Sequence, residues 1–177
     1  MNRIVEIEPL EAARFAPFGE VIDAAGAPDA MINRGMCARF TDRAALDFAP
    51  SGRAGISLFL GRPYRLPLTL DLLERHPLGS QAFLPMTPAP FLVIAAPDEN
   101  GRPGRPRAFR TAPGQGVNYR RGTWHGVLTP VGRPALFAVV DYVGPGPNLE
   151  EYHLDDPWTV GTAGDEKAFE ETPPSNA

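Results

Sequence analysis

Glu74, His76 and Gln81 are residues whose types and spacing could do chemistry. In an extended strand, side chains two apart share a face, so Glu74 and His76 project together and Arg75 projects the other way. The turn Pro77-Leu78-Gly79-Ser80 then lets Gln81 open a second strand that faces back. A carboxylate beside an imidazole can exchange protons with a bound molecule or hold a divalent cation. A second stretch, Gly116 to His125, adds Tyr119, Trp124 and another imidazole, His125. The remaining histidine, His153, lies outside both stretches, between Tyr152 and Leu154.

The elements that must position these residues read as short strands. The 18 glycines and 21 prolines are spread along the chain and interrupted by apolar runs, which suits strands joined by turns rather than low complexity. Leu66, Leu68, Leu70 and Leu72 recur at a period of two and predict a strand over Leu66 to Arg75, with a helix around Leu70 to Glu74 as the alternative. Further strands are expected at Arg3 to Glu8, Glu20 to Asp23, Ile32 to Phe40 with a break at Gly35, and Ile56 to Leu60. Others follow at Gln81 to Leu84, Phe91 to Ala96, Val117 to Tyr119, Gly126 to Val131 and Ala135 to Val143. A short helix is expected over Pro9 to Phe15, where proline suits the first turn. Such a set argues for a mainly β fold, closed or two-sheeted, with ligands bound where inward side chains converge.

The 177 residues suggest a single domain, read here as residues 1–163, followed by a loosely ordered acidic tail over 164–177. The net charge of -4 argues against a polyanion, so no nucleic-acid partner is expected. Arg102, Arg105, Arg107 and Arg110 are interleaved with Gly and Pro and read as a solvated loop. One cysteine, Cys37, excludes an internal disulfide and is expected to be packed rather than reactive. No run has the length of a membrane span, and Met1 to Leu10 lacks the apolar core of a signal peptide. A cytoplasmic protein with no membrane partner is the expectation.

The spacing from Glu74 through His76 to Gln81 resembles the first metal motif of the cupins, which normally reads His-x-His followed by Glu. Gly122-Thr123-Trp124-His125 is similar to the end of their second motif. That likeness implies a double-stranded β-helix in which Glu74, His76, Gln81 and His125 converge as candidate metal ligands. A closer resemblance runs from Leu10 to Asp141. Glu74-Arg75-His76-Pro77-Leu78-Gly79-Ser80-Gln81-Ala82-Phe83-Leu84-Pro85-Met86 resembles a signature of the ureidoglycolate lyase family. Gly114 to Tyr119 with Trp124-His125 resembles its second signature, and Ile32-Asn33-Arg34-Gly35 an early segment. The family usually reads Trp-His-His-Pro-Leu where this chain has Trp124-His125-Gly126-Val127-Leu128.

The resemblance implies cleavage of ureidoglycolate to glyoxylate and urea, a small-molecule substrate, a homodimer, and a divalent metal, with nickel sometimes assigned. Glu74, His76 and His125 are then the catalytic candidates, with Glu74 and His76 as base or ligands and His125 as acid or ligand. Asn33 and Gln81 would orient carboxylate or amide groups. Tyr119 and Trp124 would wall the pocket, and Asp141 would fix a histidine tautomer. Two alternatives stay open from the residues themselves. The pocket could work with no ion, and the chain could be a cupin-type binding or regulatory module without turnover.

Overall fold

The computed structural model describes residues 3–162 and 164–170. Strands β1 (Ile4–Val5) and β2 (Ile7–Pro9) lead into helix α1 (Ala12–Phe15) and strand β3 (Gly19–Ile22). Strands β4 (Ala30–Ile32) and β5 (Cys37–Arg39) form a hairpin, followed by β6 (Arg53–Gly61), β7 (Leu68–Arg75), β8 (Gln81–Pro85) and β9 (Phe91–Ala96). A small hairpin, β10 (Asp98–Glu99) and β11 (Arg102–Pro103), precedes β12 (Arg107–Arg110), β13 (Gly116–Tyr119) and β14 (Trp124–His125). Strands β15 (Thr129–Pro130), β16 (Ala135–Val143) and β17 (Glu150–Val160) and helix α2 (Asp165–Glu170) complete it.

Two sheets carry the architecture. One runs β1-β17-β7-β14-β9-β12-β2, with β15 also paired to β9. The other runs β3-β13-β8-β16-β6. Pairing is antiparallel except at β1 with β17 and β12 with β2. Together the sheets make the expected mainly β, cupin-like barrel. Of the expected Leu66 to Arg75 strand, Leu68 to Arg75 forms β7 rather than a helix, because its leucines gain cross-strand partners in β17, while Leu66 lies before it.

The core has two parts. Between the sheets, Phe83, Phe91, Phe109, Phe137, Val93, Val117 and Val139 pack with Phe15 and Phe18. Helix α1 is thus a plug: its only buried side chain, Phe15, meets Phe109 edge-on with ring centres 5.8 Å apart. On the other face of the larger sheet, Leu70, Leu73, Leu92, Ile94, Trp124 and Phe169 form the second cluster. Strand β9 feeds both clusters alternately, which is why all its residues are buried.

One irregularity decides where the chemistry points. Leu68 and Leu70 pack in the same cluster as Leu73, so the alternation along β7 slips by one residue after Leu70. Across from the slip, the register of β17 breaks between His153 and Trp158. Such a bulge turns every later side chain to the opposite face. Without it, Glu74 would share the face of Leu70.

Several expectations are corrected. Ile32 to Phe40 is not one interrupted strand but the β4–β5 hairpin, turned by Asn33, Arg34 and Gly35 with φ of 54°, 60° and 85°. Gly126 to Val131 yields only the two-residue β15. The arginine-rich loop is partly strand β12, where Arg107 pairs with Glu8 at 3.1 Å. Cys37 is exposed rather than packed. Residues 165–170 of the expected loose tail form α2, whose Phe169 is buried, while 171–177 lie outside the described residues. Among the described residues, no helix is long and apolar enough to cross a membrane.

Candidate functional site

The reactive side chains gather at one end of the barrel because five strands each deliver one inward residue there. His125 of β14 stands directly opposite Glu74 of β7. Tyr119 of β13 stands opposite Gln81 of β8. Asp141 follows Phe137 and Val139 at period two along β16, so it faces the same interior. His76 lies just past the end of β7, in the turn that β8 follows.

Glu74, His76 and His125 each place one donor atom within 4.8 Å of the others. The two imidazole rings are 5.2 Å apart. The His125 ring stacks on Tyr119 with centres 4.2 Å apart and planes 10° from parallel. His125 Nδ1 lies 3.0 Å from the Gly126 carbonyl oxygen and donates to it, which leaves Nε2 as the lone-pair nitrogen. His76 Nδ1 lies 2.6 Å from the Asn148 carbonyl oxygen, and its Nε2 is likewise left over. Both Nε2 atoms, and Gln81 Oε1, are buried without a hydrogen-bond partner. Buried polar atoms are normally paired, so three unpaired ones at one place mark a site built for a ligand.

The electrostatics follow from burial. Loss of solvent raises the Glu74 carboxyl above its ordinary range; His76 opposes this and Glu151 adds to it. Burial also raises Asp141, against the pull of His76 and of a hydrogen bond from Gln81. For His125, burial and the neighbouring His76 hold the imidazole down at about 3. Burial, with Glu74 nearby, pushes the Tyr119 phenol far above its usual value. At neutral pH His125 is therefore an uncharged acceptor. Of the two roles expected for it, acid or ligand, an uncharged acceptor suits the ligand.

One carboxylate and two imidazoles, each with an unpaired Nε2, form a donor set that would suit a divalent first-row cation with both rings neutral. Gln81 adds an acceptor oxygen, and its side chain lies near enough to Asp141 to oppose the rise of that carboxyl.

Two expected residues are elsewhere. Trp124 precedes His125 by one position and so faces away, donating Nε1–H to Asp98 at 2.9 Å beneath the Arg75 guanidinium. It supports the sheet from behind and does not wall the pocket. Asn33 sits exposed on the turn of the β4–β5 hairpin and does not join the cluster. Arg75, as expected, points outward, to Asp98 and Glu150 at 2.9 and 2.6 Å. Two residues at the site were not legible. Glu151 stands opposite Glu74 in β17, and Asn148 holds the His76 turn.

The model of the family described as "Ureidoglycolate lyase" matches residues 2–161. The chain belongs to the ureidoglycolate lyase family. It is 59% identical over 160 residues to a ureidoglycolate lyase of Rhodobacter capsulatus, covering 90% of this chain and 99% of that one. A ureidoglycolate lyase of Chelativorans sp. is 53% identical over 161 residues, covering 90% and 97%. Ureidoglycolate lyase 2 of Rhizobium meliloti is 51% identical over 155 residues, covering 87% and 95%. The Gly126 departure from the usual family pattern has a simple geometric meaning. A Cβ at Gly126 would lie 3.1 Å from the Ile94 side chain, in the cluster behind the sheet. Position 126 points into that cluster rather than toward Glu74 and His76.

Proposed function

We propose that this protein is a carbon–nitrogen lyase that splits ureidoglycolate into glyoxylate and urea. The observation that carries this reading is the cluster of buried, unpaired acceptors: His76 Nε2, His125 Nε2 and Gln81 Oε1. They suit a small ligand rich in O–H and N–H donors, and family membership supplies its identity.

The reaction moves one proton. The carbinol hydroxyl loses it as the C–N bond breaks to form the glyoxylate carbonyl, and the departing urea nitrogen gains it. Glu74, His76 and His125 would hold a divalent cation, nickel by family resemblance, whose charge would make the substrate hydroxyl more acidic. Asp141 is the carboxyl outside that ligand set. Its raised pKa suits it to accept the hydroxyl proton and return it to the urea nitrogen. Gln81 Oε1 accepts from the urea amide, holding the leaving group against the carboxyl that protonates it. Tyr119 excludes water from the face of His125 on which it stacks.

Mixing purified protein with ureidoglycolate should release glyoxylate and urea in equal amounts. Ammonia in place of urea, or no glyoxylate, would contradict the reading.

The working form is a homodimer. The outer face of β6 exposes Ile56, Leu58 and Leu60 at 78%, 65% and 74%. Leu136 and Val140 of β16 and the exposed Met86 after β8 continue this apolar face by register. Strand β6 is also an unpaired sheet edge. An apolar edge strand of this kind requires cover, and a two-fold copy provides it. Light scattering should read twice 19.1 kDa, and Leu58→Lys should shift it toward the monomer. A parent protein that scatters as a monomer would remove this part. A cytoplasmic setting fits the single free thiol.

A further inference from the structure

We propose that Asn148 is a positioning residue that selects the tautomer of His76. Asn148 grips the His76 turn twice. Its backbone carbonyl accepts from His76 Nδ1 at 2.6 Å, and its side-chain Oδ1 accepts from the Leu78 backbone N–H at 2.8 Å. The two bonds bracket His76-Pro77-Leu78 from one residue. The strap that carries Asn148, Gly144 to Leu149, joins β16 to β17. It is anchored at its other end by the Tyr142 hydroxyl, which donates to the Pro145 carbonyl at 2.9 Å and lies 2.9 Å from Ser51 Oγ. Pro145 and Pro147 limit its freedom between the anchors.

A carbonyl oxygen can only accept, so His76 Nδ1 must carry a proton, and in the neutral ring the lone pair is then on Nε2. In water a histidine side chain favours the opposite form, with the proton on Nε2. That form would aim a donor at Glu74 and His125, where an acceptor is needed. Which ring nitrogen is protonated is set by the bond that the other makes. The Asn148 carbonyl makes that bond, and the Asn148 side chain keeps the carbonyl in place. Any residue has a carbonyl; only one with an acceptor of asparagine's reach can hold the Leu78 N–H as well. The strap therefore acts on the reaction through His76 without touching substrate.

The inference rests on the proposed lyase reading only for its kinetic arm. The primary test is nitrogen NMR of the full chain with labelled histidine, after dialysis against a chelator so that no ion fixes the ring. The parent should show His76 protonated at Nδ1. Asn148→Ala should move the proton to Nε2 in most molecules, and Asn148→Asp, which restores the acceptor for Leu78 N–H, should move it back. In turnover, Asn148→Ala should lower kcat by about 10- to 100-fold with little change in KM, the scale for lost partners behind a functional histidine. Asn148→Asp should recover most of it. Should the alanine variant not fold, Asn148→Ser, too short to reach Leu78, is measured in its place. An unchanged Nδ1–H signal in the alanine or serine variant overturns the proposal, as does an aspartate variant that fails to restore it. If the protein does not cleave ureidoglycolate, the lyase reading falls and the tautomer measurement still decides this one.

Discussion

The two ends of the barrel interior are built from the same strands and do opposite things. Strand β16 places Phe137 and Val139 in hydrocarbon and then Asp141 among polar groups. Strand β8 places Phe83 in the core and Gln81 at the site, and β13 does the same with Val117 and Tyr119. At the apolar end side chains pack against one another, with Phe91 and Phe137 edge-on at 4.9 Å. At the polar end, atoms are buried without partners. Leaving a buried polar atom unpaired costs about 1–3 kcal/mol, so the apolar end stabilises what the polar end destabilises. The difference teaches that function here is a two-residue step along a strand, on a shared scaffold.

Substitutions at the two ends should therefore separate activity from stability. His76→Ala and His125→Ala each remove a proposed ligand of the cation and should lower turnover by roughly two orders of magnitude or more, with little change in melting temperature. The double variant should lose far less than the product of the two, as for residues that work as one unit, and steady-state kinetics would show it. Phe137→Ala should do the reverse: about 3–5 kcal/mol less stable in denaturant unfolding, with near-normal turnover in the molecules still folded. If the histidine variants unfold and the phenylalanine variant does not, the two ends have been misassigned.

The pH dependence of stability sharpens the contrast. His125 is held at about 3 against an ordinary 6.5. The unfolded chain takes up a proton that the folded chain refuses, so this contribution is complete above about 6.5 and is lost as the pH falls toward 3. Glu74 and Asp141, both raised, run the other way: their contribution is present at low pH and lost as the pH rises through their folded values. His125→Asn should flatten the fall in melting temperature between pH 6.5 and 3. An acid limb identical to that of the parent would show that His125 is not the group resisting protonation. The smallest effect is expected at His153, exposed on β17 opposite Leu72; His153→Ala should stay within about 0.5 kcal/mol in stability and near parental turnover.

Much of this was legible before the fold was known. Strands β7, β9 and β16 announced themselves because their leucine, valine and phenylalanine runs are bounded by Gly, Pro or charged residues. Glu74, His76 and His125 were legible as a group because their spacing matches a known pattern. The inward turn of Glu74 was not, since it depends on a slip opposite a β17 bulge, and β17 itself was hidden by Pro157 and its run of acids. Trp124 misled because its neighbour in sequence is on the other face in space. Asn33 misled because a segment that reads as strand is a solvent-facing turn. Asn148 left no signal: a Gly-Pro-rich run reads as a bare turn, and its partner His76 is 72 positions away.

The central claim is that substrate meets the polar end of the barrel. Diffraction from crystals soaked with glyoxylate and urea, the products, tests it most directly. Density should lie within hydrogen-bond distance of Gln81 Oε1 and of the His76 and His125 Nε2 atoms. A hollow of about 420 Å³ opens at the other end of β6, lined by Phe59, Arg62, Tyr64 and Leu128. Density confined to that hollow, with nothing against the two histidines, would contradict the account.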